Sequence, residues 1–183
     1  MVFMSKAFLR PLIVVVALLV LPGFSLSDSP KPPFSVAIAP TFNANGSGSI
    51  EIALGSPRDF YVLLTNISNE PQPVWETWNS WGYQTVSFEF ATKDGKIYTI
   101  TRRVQDFDKN FPSTFIVQPG EHKIFAIHLD EWWISHPTFP KVDETPITVK
   151  AIYEVQPTPE STKYKLWTGR IESHPYNFTV RQW

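Results

Sequence analysis

Trp75, Trp78 and Trp81, with Tyr83 close behind, fall in a stretch from Asn69 to Tyr83 that reads as a loop between alternating segments. Flat indole faces stack on sugar rings and their amphipathic edges suit wet interfaces, so recognition of a polysaccharide or a protein partner is the chemistry these residues offer. Left uncovered, three such rings would present on the order of 450 to 750 Å², at about 150 to 250 Å² each. A patch of that size rarely stays idle on a monomer. The loop therefore either folds back to plug one end of the fold or binds something. At about 25 cal/mol per Å², plugging is worth roughly 4 to 6 kcal/mol per ring as an upper estimate, which makes it the default. Trp132-Trp133 is a second candidate. Neighbours on an extended chain face opposite ways, so one of that pair is expected outside. The candidate ligand-binding residues are thus Trp75, Trp78, Trp81, Tyr83, Trp132 and Trp133, and no catalytic residue is assigned.

Other chemistries find less support. Asp106, Asp108 and Asn110 alternate like the first ligands of a calcium loop, but the sixth position is Phe111 in place of Gly and the twelfth Val117 in place of Glu. His122 and His128 share a strand face, yet six strand residues span about 20 Å, too far for one ion. Exported copper sites add Cys or Met to His, and this chain has no Cys and only Met1 and Met4. Asn45-Gly46-Ser47-Gly48-Ser49 is a flexible turn and not a nucleophile elbow. Glu76 and Glu89 could pair as glycosidase carboxylates, but the sequence fixes no distance between them. No phosphate-cradling loop occurs. No metal and no cofactor are expected, and the reading is non-enzymatic.

The ends of the chain and its charge set further bounds. Lys6 and Arg10 precede the apolar run Leu12 to Leu21 and then Ser25-Leu26-Ser27, the pattern of a secretory signal over residues 1–27. The apolar run is shorter than the roughly 20 residues of a membrane span, so cleavage near Ser27 is expected over retention as an anchor, with no span remaining. The product is secreted or periplasmic. Cleavage leaves 156 of the 183 residues, enough for one domain with its own core. With no cysteine, packing alone must hold an exported fold, a habit commoner in bacterial export than in small animal extracellular domains. Of the 16 basic residues, 14 remain against 17 acidic ones, a net charge of −3 that attracts no nucleic acid. Asn45-Gly46-Ser47, Asn66-Ile67-Ser68 and Asn177-Phe178-Thr179 are glycosylation sequons, meaningful only in a eukaryotic host.

The elements that must position these residues are strands. Residues 28–33, with Pro30, Pro32 and Pro33, form an extended linker into a domain over 34–183. Phe34, Val36 and Ile38 alternate, then Ile50, Ile52 and Leu54, then Phe60, Val62 and Leu64, then Val86, Phe88 and Phe90. Turn length sets the register of the hairpin that follows. A two-residue Asp94-Gly95 loop would put Ile100 on the polar side. A three-residue loop, Lys93-Asp94-Gly95, with Gly95 left-handed, instead pairs Phe88 with Ile100 and Phe90 with Tyr98. Arg102 to Pro112 is a polar connection. Thr114 to Leu129 reads as a hairpin-like unit around a type II turn at Gln118-Pro119-Gly120-Glu121, with Phe125, Ile127 and Leu129 inward. Asp130 caps a single helical turn. Thr145 to Gln156 is the cleanest strand, with Ile152 on its polar side. Gln156 to Lys163 is a loop, and Tyr164 to Ile171 and Tyr176 to Val180 are the last strands. About seven to ten strands with Pro and Gly punctuation point to an all-β, antiparallel sandwich, a small closed barrel being the alternative.

The segments Leu64-Thr65-Asn66-Ile67-Ser68, Pro71 to Trp75, Gln118-Pro119-Gly120-Glu121, Ala151-Ile152-Tyr153 and Trp167-Thr168-Gly169 resemble the immunoglobulin-like modules of exported bacterial proteins. They are similar in particular to an uncharacterised group of secreted single-domain proteins of environmental bacteria. The likeness spans Phe34 to Val180. Ala151-Ile152-Tyr153-Glu154-Val155 resembles the Ala-x-Tyr-x-Cys stretch of immunoglobulin strand F, with Val155 in the cysteine's place, so no intersheet disulfide is implied. The resemblance implies a fold and an export route, and no activity. The function expected is that of a binding or structural module working through end loops, with a carbohydrate-binding module and, behind it, a hydrolase as alternatives.

Overall fold

Strands form wherever apolar residues alternate with polar ones. The computed structural model describes residues 31–40, 50–53, 60–134 and 145–181. The expected signal peptide, residues 28–30 of the linker, the turn at Asn43 to Gly48 and the break at Gly55 to Pro57 lie outside them. In chain order the elements are β1 (Phe34–Pro40), β2 (Ile50–Ala53), β3 (Phe60–Asn66), β4 (Gln72–Trp75), α1 (Ser80–Tyr83), β5 (Val86–Thr92), β6 (Ile97–Arg102), β7 (Thr114–Val117), β8 (His122–Ile127), β9 (Trp133–Ile134), β10 (Thr145–Val155), α2 (Pro159–Lys163), β11 (Gly169–Glu172) and β12 (Tyr176–Arg181).

A three-stranded sheet runs β1-β3-β8, a larger one runs β2-β12-β10-β5-β6-β9 with β11 also beside β10, and β4 pairs with β7 separately. All pairs are antiparallel except β2 with β12. The protein is therefore all-β with antiparallel sheets. Side chains from the two main sheets meet in one core: Phe60 of β3 lies 5.2 Å from Phe88 of β5 and 5.2 Å from Phe178 of β12, and Phe34 of β1 lies 6.1 Å from Tyr153 of β10. Offset and edge-on aromatic pairs of this kind add about 0.5 to 1.5 kcal/mol each beyond the area they bury.

The β5–β6 hairpin has the three-residue loop that the apolar pattern requires. Phe88 faces Ile100, Phe90 faces Tyr98, and Gly95 sits at φ +83°. Asp130 caps its turn through Oδ1, which accepts from the Trp132 N–H at 3.0 Å, although the turn leads into β9 and not into a helix. Phe125, Ile127 and Leu129 are buried as their alternation demands.

Five expectations need correction. The type II turn forms, with Gly120 at φ +78° and Glu121 N–H donating to Gln118 O at 2.9 Å, but the strands on either side part. β7 joins β4 and β8 joins β3, because the turn is fastened to Asn66 at the end of β3. The stretch Asn69 to Tyr83 is more than a loop, since it carries β4 and α1. The expected loop Gln156 to Lys163 holds α2, whose Thr158 cap and Ser161 exchange bonds in a capping box, with Pro159 at its start. The expected strand Tyr164 to Ile171 is paired only over Gly169–Glu172, because Lys165 at φ +57° turns the chain before it. These additions, with the two-residue β9, raise the strand number to twelve among the described residues.

Ile152 is buried although it lies on the outer side of β10. Arg170 starts beside Glu154 on one side of β10 and reaches Glu89, which lies beside Lys150 on the other, at 3.0 Å. Its side chain must therefore cross β10, and Ile152 lies beneath the crossing. The long stem of an arginine covers apolar surface in this way while its head stays in water.

Candidate functional site

The start of β5, the end of β6 and the end of β10 lie together at one end of the larger sheet, and the Trp-rich stretch is laid across that end. Its shape depends on two residues. Asn79 is fully buried: its Oδ1 accepts from the N–H groups of Trp81 and Gly82, both at 3.1 Å, and its Nδ2 donates to Ser113 Oγ at 3.3 Å. Gly82 is packed so tightly that a Cβ there would lie 2.1 Å from the carbonyl oxygen of Glu76. Thr85 closes the turn by donating to Gly82 O at 2.8 Å, and its own carbonyl accepts from Glu154 N–H at 2.9 Å, which ties the stretch to β10.

The indoles divide within this frame. Trp75 is in the core, 5.4 Å from Tyr164 and 6.3 Å from Trp81, which packs partly buried against the same cluster. Tyr83 is buried, with Phe107 against its ring at 5.5 Å. Trp78 points outward with 43% of its surface open, in edge contact at 4.9 Å with Phe111, itself 54% open. The expected plug and the expected exposed ring both occur, on different residues of one loop. Trp132 is 45% exposed and Trp133 is buried against Phe88, so the pair splits as an extended backbone requires. Trp75, Tyr83 and Trp133 therefore act as support and offer a ligand no open face.

Two pockets flank α1. One, of about 250 Å³, is lined by Trp75, Trp81, Gln84, Glu154 and Thr158. The other, of about 290 Å³, has Tyr83 and Trp133 with Arg102, Gln105, Asp130 and Trp132. Gln84 donates from Nε2 to the carbonyl oxygen of Arg102 at 3.0 Å and so joins α1 to β6 between them.

Sequence reasoning missed Phe111, Asn79, Gly82 and Arg102. An Asn just before Ser80-Trp81 is a legible helix cap. Nothing local marks Phe111 or Arg102, which looked like members of a polar connection. The supposed calcium residues have other work: Asn110 accepts from the Ser80 N–H at 3.0 Å and anchors the start of α1. Among the described residues no group of three or more His, Asp or Glu side chains is arranged to hold an ion, and no helix is long and apolar enough to cross a membrane. No protein family model matches the chain, and no curated protein and no solved structure matches it either.

Proposed function

We propose that this chain is an exported, non-enzymatic binding module of immunoglobulin-like design that recognises its ligand through the aromatic end of the larger sheet. The strand order supports the design. β1-β3-β8 against β12-β10-β5-β6 follows the A-B-E and G-F-C-C′ order of immunoglobulin sandwiches, and Tyr153 lies on the central strand where the strand F tyrosine would fall. Export is supported by Lys6 and Arg10 ahead of the apolar run Leu12 to Leu21.

The observation that carries the binding role is the state of Trp78. Its loop is fixed by a buried cap and by a glycine that admits no Cβ, and the other rings of that loop turn inward, yet Trp78 and Phe111 stay half open. A rigid, exposed aromatic pair costs little ordering entropy when it meets a partner, which is what a recognition platform needs. A polysaccharide is the more specific ligand reading, favoured because a second indole, Trp132, is held half open on the neighbouring turn. A protein partner is the other. Affinity electrophoresis through gels containing single polysaccharides tests the proposal: retardation of the parent chain that is lost in Trp78→Ala supports it. Retardation that survives both Trp78→Ala and Trp132→Ala rejects the aromatic end as the site.

A further inference from the structure

Arg102 ends β6 with its guanidinium over two rings at once, 4.8 Å from the centre of Tyr83 and 4.9 Å from that of Trp133. Stacking on ring faces steadies the cation but engages none of its five N–H donors along their own directions. Among the described residues no carboxylate is paired with it. Arg170 shows how this protein treats an arginine that has only a structural task, with Glu172 at 2.8 Å, Glu89 at 3.0 Å and Glu154 at 3.7 Å. Arg102 has no such ring of carboxylates, and it faces the pocket of about 290 Å³.

The rest of that pocket narrows the ligand. Trp132 stands half open on a pinned backbone: its N–H donates to Asp130 Oδ1 at 3.0 Å and its carbonyl accepts from Arg103 N–H at 2.7 Å. Asp130 and Gln105 line the same space. A ligand must therefore bring acceptors to Arg102, donors to the Asp130 carboxylate and an apolar face to the indole. A sulfate or phosphate brings only acceptors. A hydroxylated ring acid brings all three, and the volume lies near the low end of ligand pockets, about 300 to 1,000 Å³, which suits one ring of a chain passing over the surface.

We infer that the Arg102 pocket is a subsite for a sugar unit bearing a carboxylate, a uronate, with Arg102 on the carboxylate, Trp132 under the ring, and Asp130 and Gln105 on its hydroxyls. The inference rests on the reading of the chain as a saccharide-binding module, but it uses neither Trp78 nor Phe111. A planar guanidinium fork matches a carboxylate in two parallel bonds, which an ammonium cannot reproduce.

Calorimetric titration of the whole chain with trigalacturonate, its methyl ester, a neutral galactan trisaccharide and triglutamate tests it. Trigalacturonate should bind, esterification or Arg102→Gln should each weaken it by about tenfold or more, Arg102→Lys should fall between, and Trp78→Ala should leave it nearly unchanged. Trp132→Ala changes a half-exposed residue and keeps the test open should Arg102→Gln fail to fold; it too must weaken binding. Equal affinity for the ester or the neutral trisaccharide overturns the inference, as does triglutamate binding as tightly as the uronate. Absence of trigalacturonate binding alongside Trp78-dependent retardation on a neutral polysaccharide overturns the subsite alone. Absence of both removes the general reading as well.

Discussion

Asn66 donates from Nδ2 to the carbonyl oxygen of Val117 at 2.9 Å, joining two buried points that are 51 positions apart in the chain. The same nitrogen donates to Glu70 O at 2.8 Å, Oδ1 accepts from the N–H and hydroxyl of Ser68, and the Asn66 backbone exchanges bonds with Gly120 and Glu121. One side chain thus fastens the turn after β3 to the turn that separates β7 from β8.

Replacing Asn66 with Ala strands the buried carbonyls of Glu70 and Val117, and each unsatisfied group costs about 1 to 3 kcal/mol. Urea denaturation should show a loss of at least about 2 kcal/mol. Asn66→Asp should be worse at neutral pH, since a carboxylate oxygen would face two carbonyls, and should recover as acid protonates it. An unchanged midpoint in both variants would contradict the role. The sequon Asn66-Ile67-Ser68 should carry no glycan in the folded chain, because the acceptor nitrogen is buried and engaged.

Gly82→Ala should damage the aromatic end specifically. A methyl 2.1 Å from the Glu76 carbonyl oxygen must push the loop aside, at a cost of about 1 to 3 kcal/mol or more. Near-ultraviolet circular dichroism should lose part of its tryptophan signal. Gly95→Ala meets no atom within 4 Å and strains only a φ of +83°, so it should cost about 1 kcal/mol and leave that signal intact. Similar spectra for the two variants would count against a close-packed loop.

The Arg170 cluster should weaken in acid. The guanidinium of Arg170, and then Lys150, hold the Glu172 carboxyl below the usual carboxylate range. A depressed carboxylate stabilises above its unfolded pKa, near 4.5, and that contribution fades as pH falls through the lower folded value. The groups are more than a third exposed, so the effect stays within about 1 kcal/mol and shrinks in salt. Arg170→Ala should cost more than Glu172→Gln, because it also uncovers Ile152. Equal losses would deny the arginine its covering role.

Tyr153 governs the alkaline limit. Burial pushes its phenol well above the ordinary value of 10.0. A raised folded pKa leaves stability intact below about pH 10 and removes it as pH rises further, with a limiting slope of about 1.4 kcal/mol per pH unit. Tyr153→Phe should flatten the fall between about pH 10 and 11.5 seen by urea titration; the same slope in both proteins would assign it elsewhere.

How far the fold could be read from the sequence follows from how local each cause is. The register of Phe88 on Ile100 was legible because turn length and alternation lie within a few residues of each other, and the split between Trp132 and Trp133 because backbone geometry alone imposes it. The parting of β7 from β8 was not, since the residue that causes it, Asn66, sits a whole sheet away in sequence. Ile152 was misplaced because its cover comes from Arg170 on another strand. In the candidate site the tryptophans were visible as residue types, but which of them turn inward depends on the fit of Gly82 against Glu76. The Arg102 pocket escaped notice because its rings and polar groups come from α1, β6 and the turn before β9.

The most direct test of the binding role is the set of indole N–H signals in a ¹⁵N-labelled protein, assigned by single Trp→Phe substitutions and followed while soluble oligosaccharides are added. The Trp78 signal should shift and saturate with a ligand that also retards the protein in gels, while those of Trp75 and Trp133 hold still. A ligand that binds and moves the buried indoles, or none of them, leaving Trp78 unchanged, would contradict recognition through the open ring.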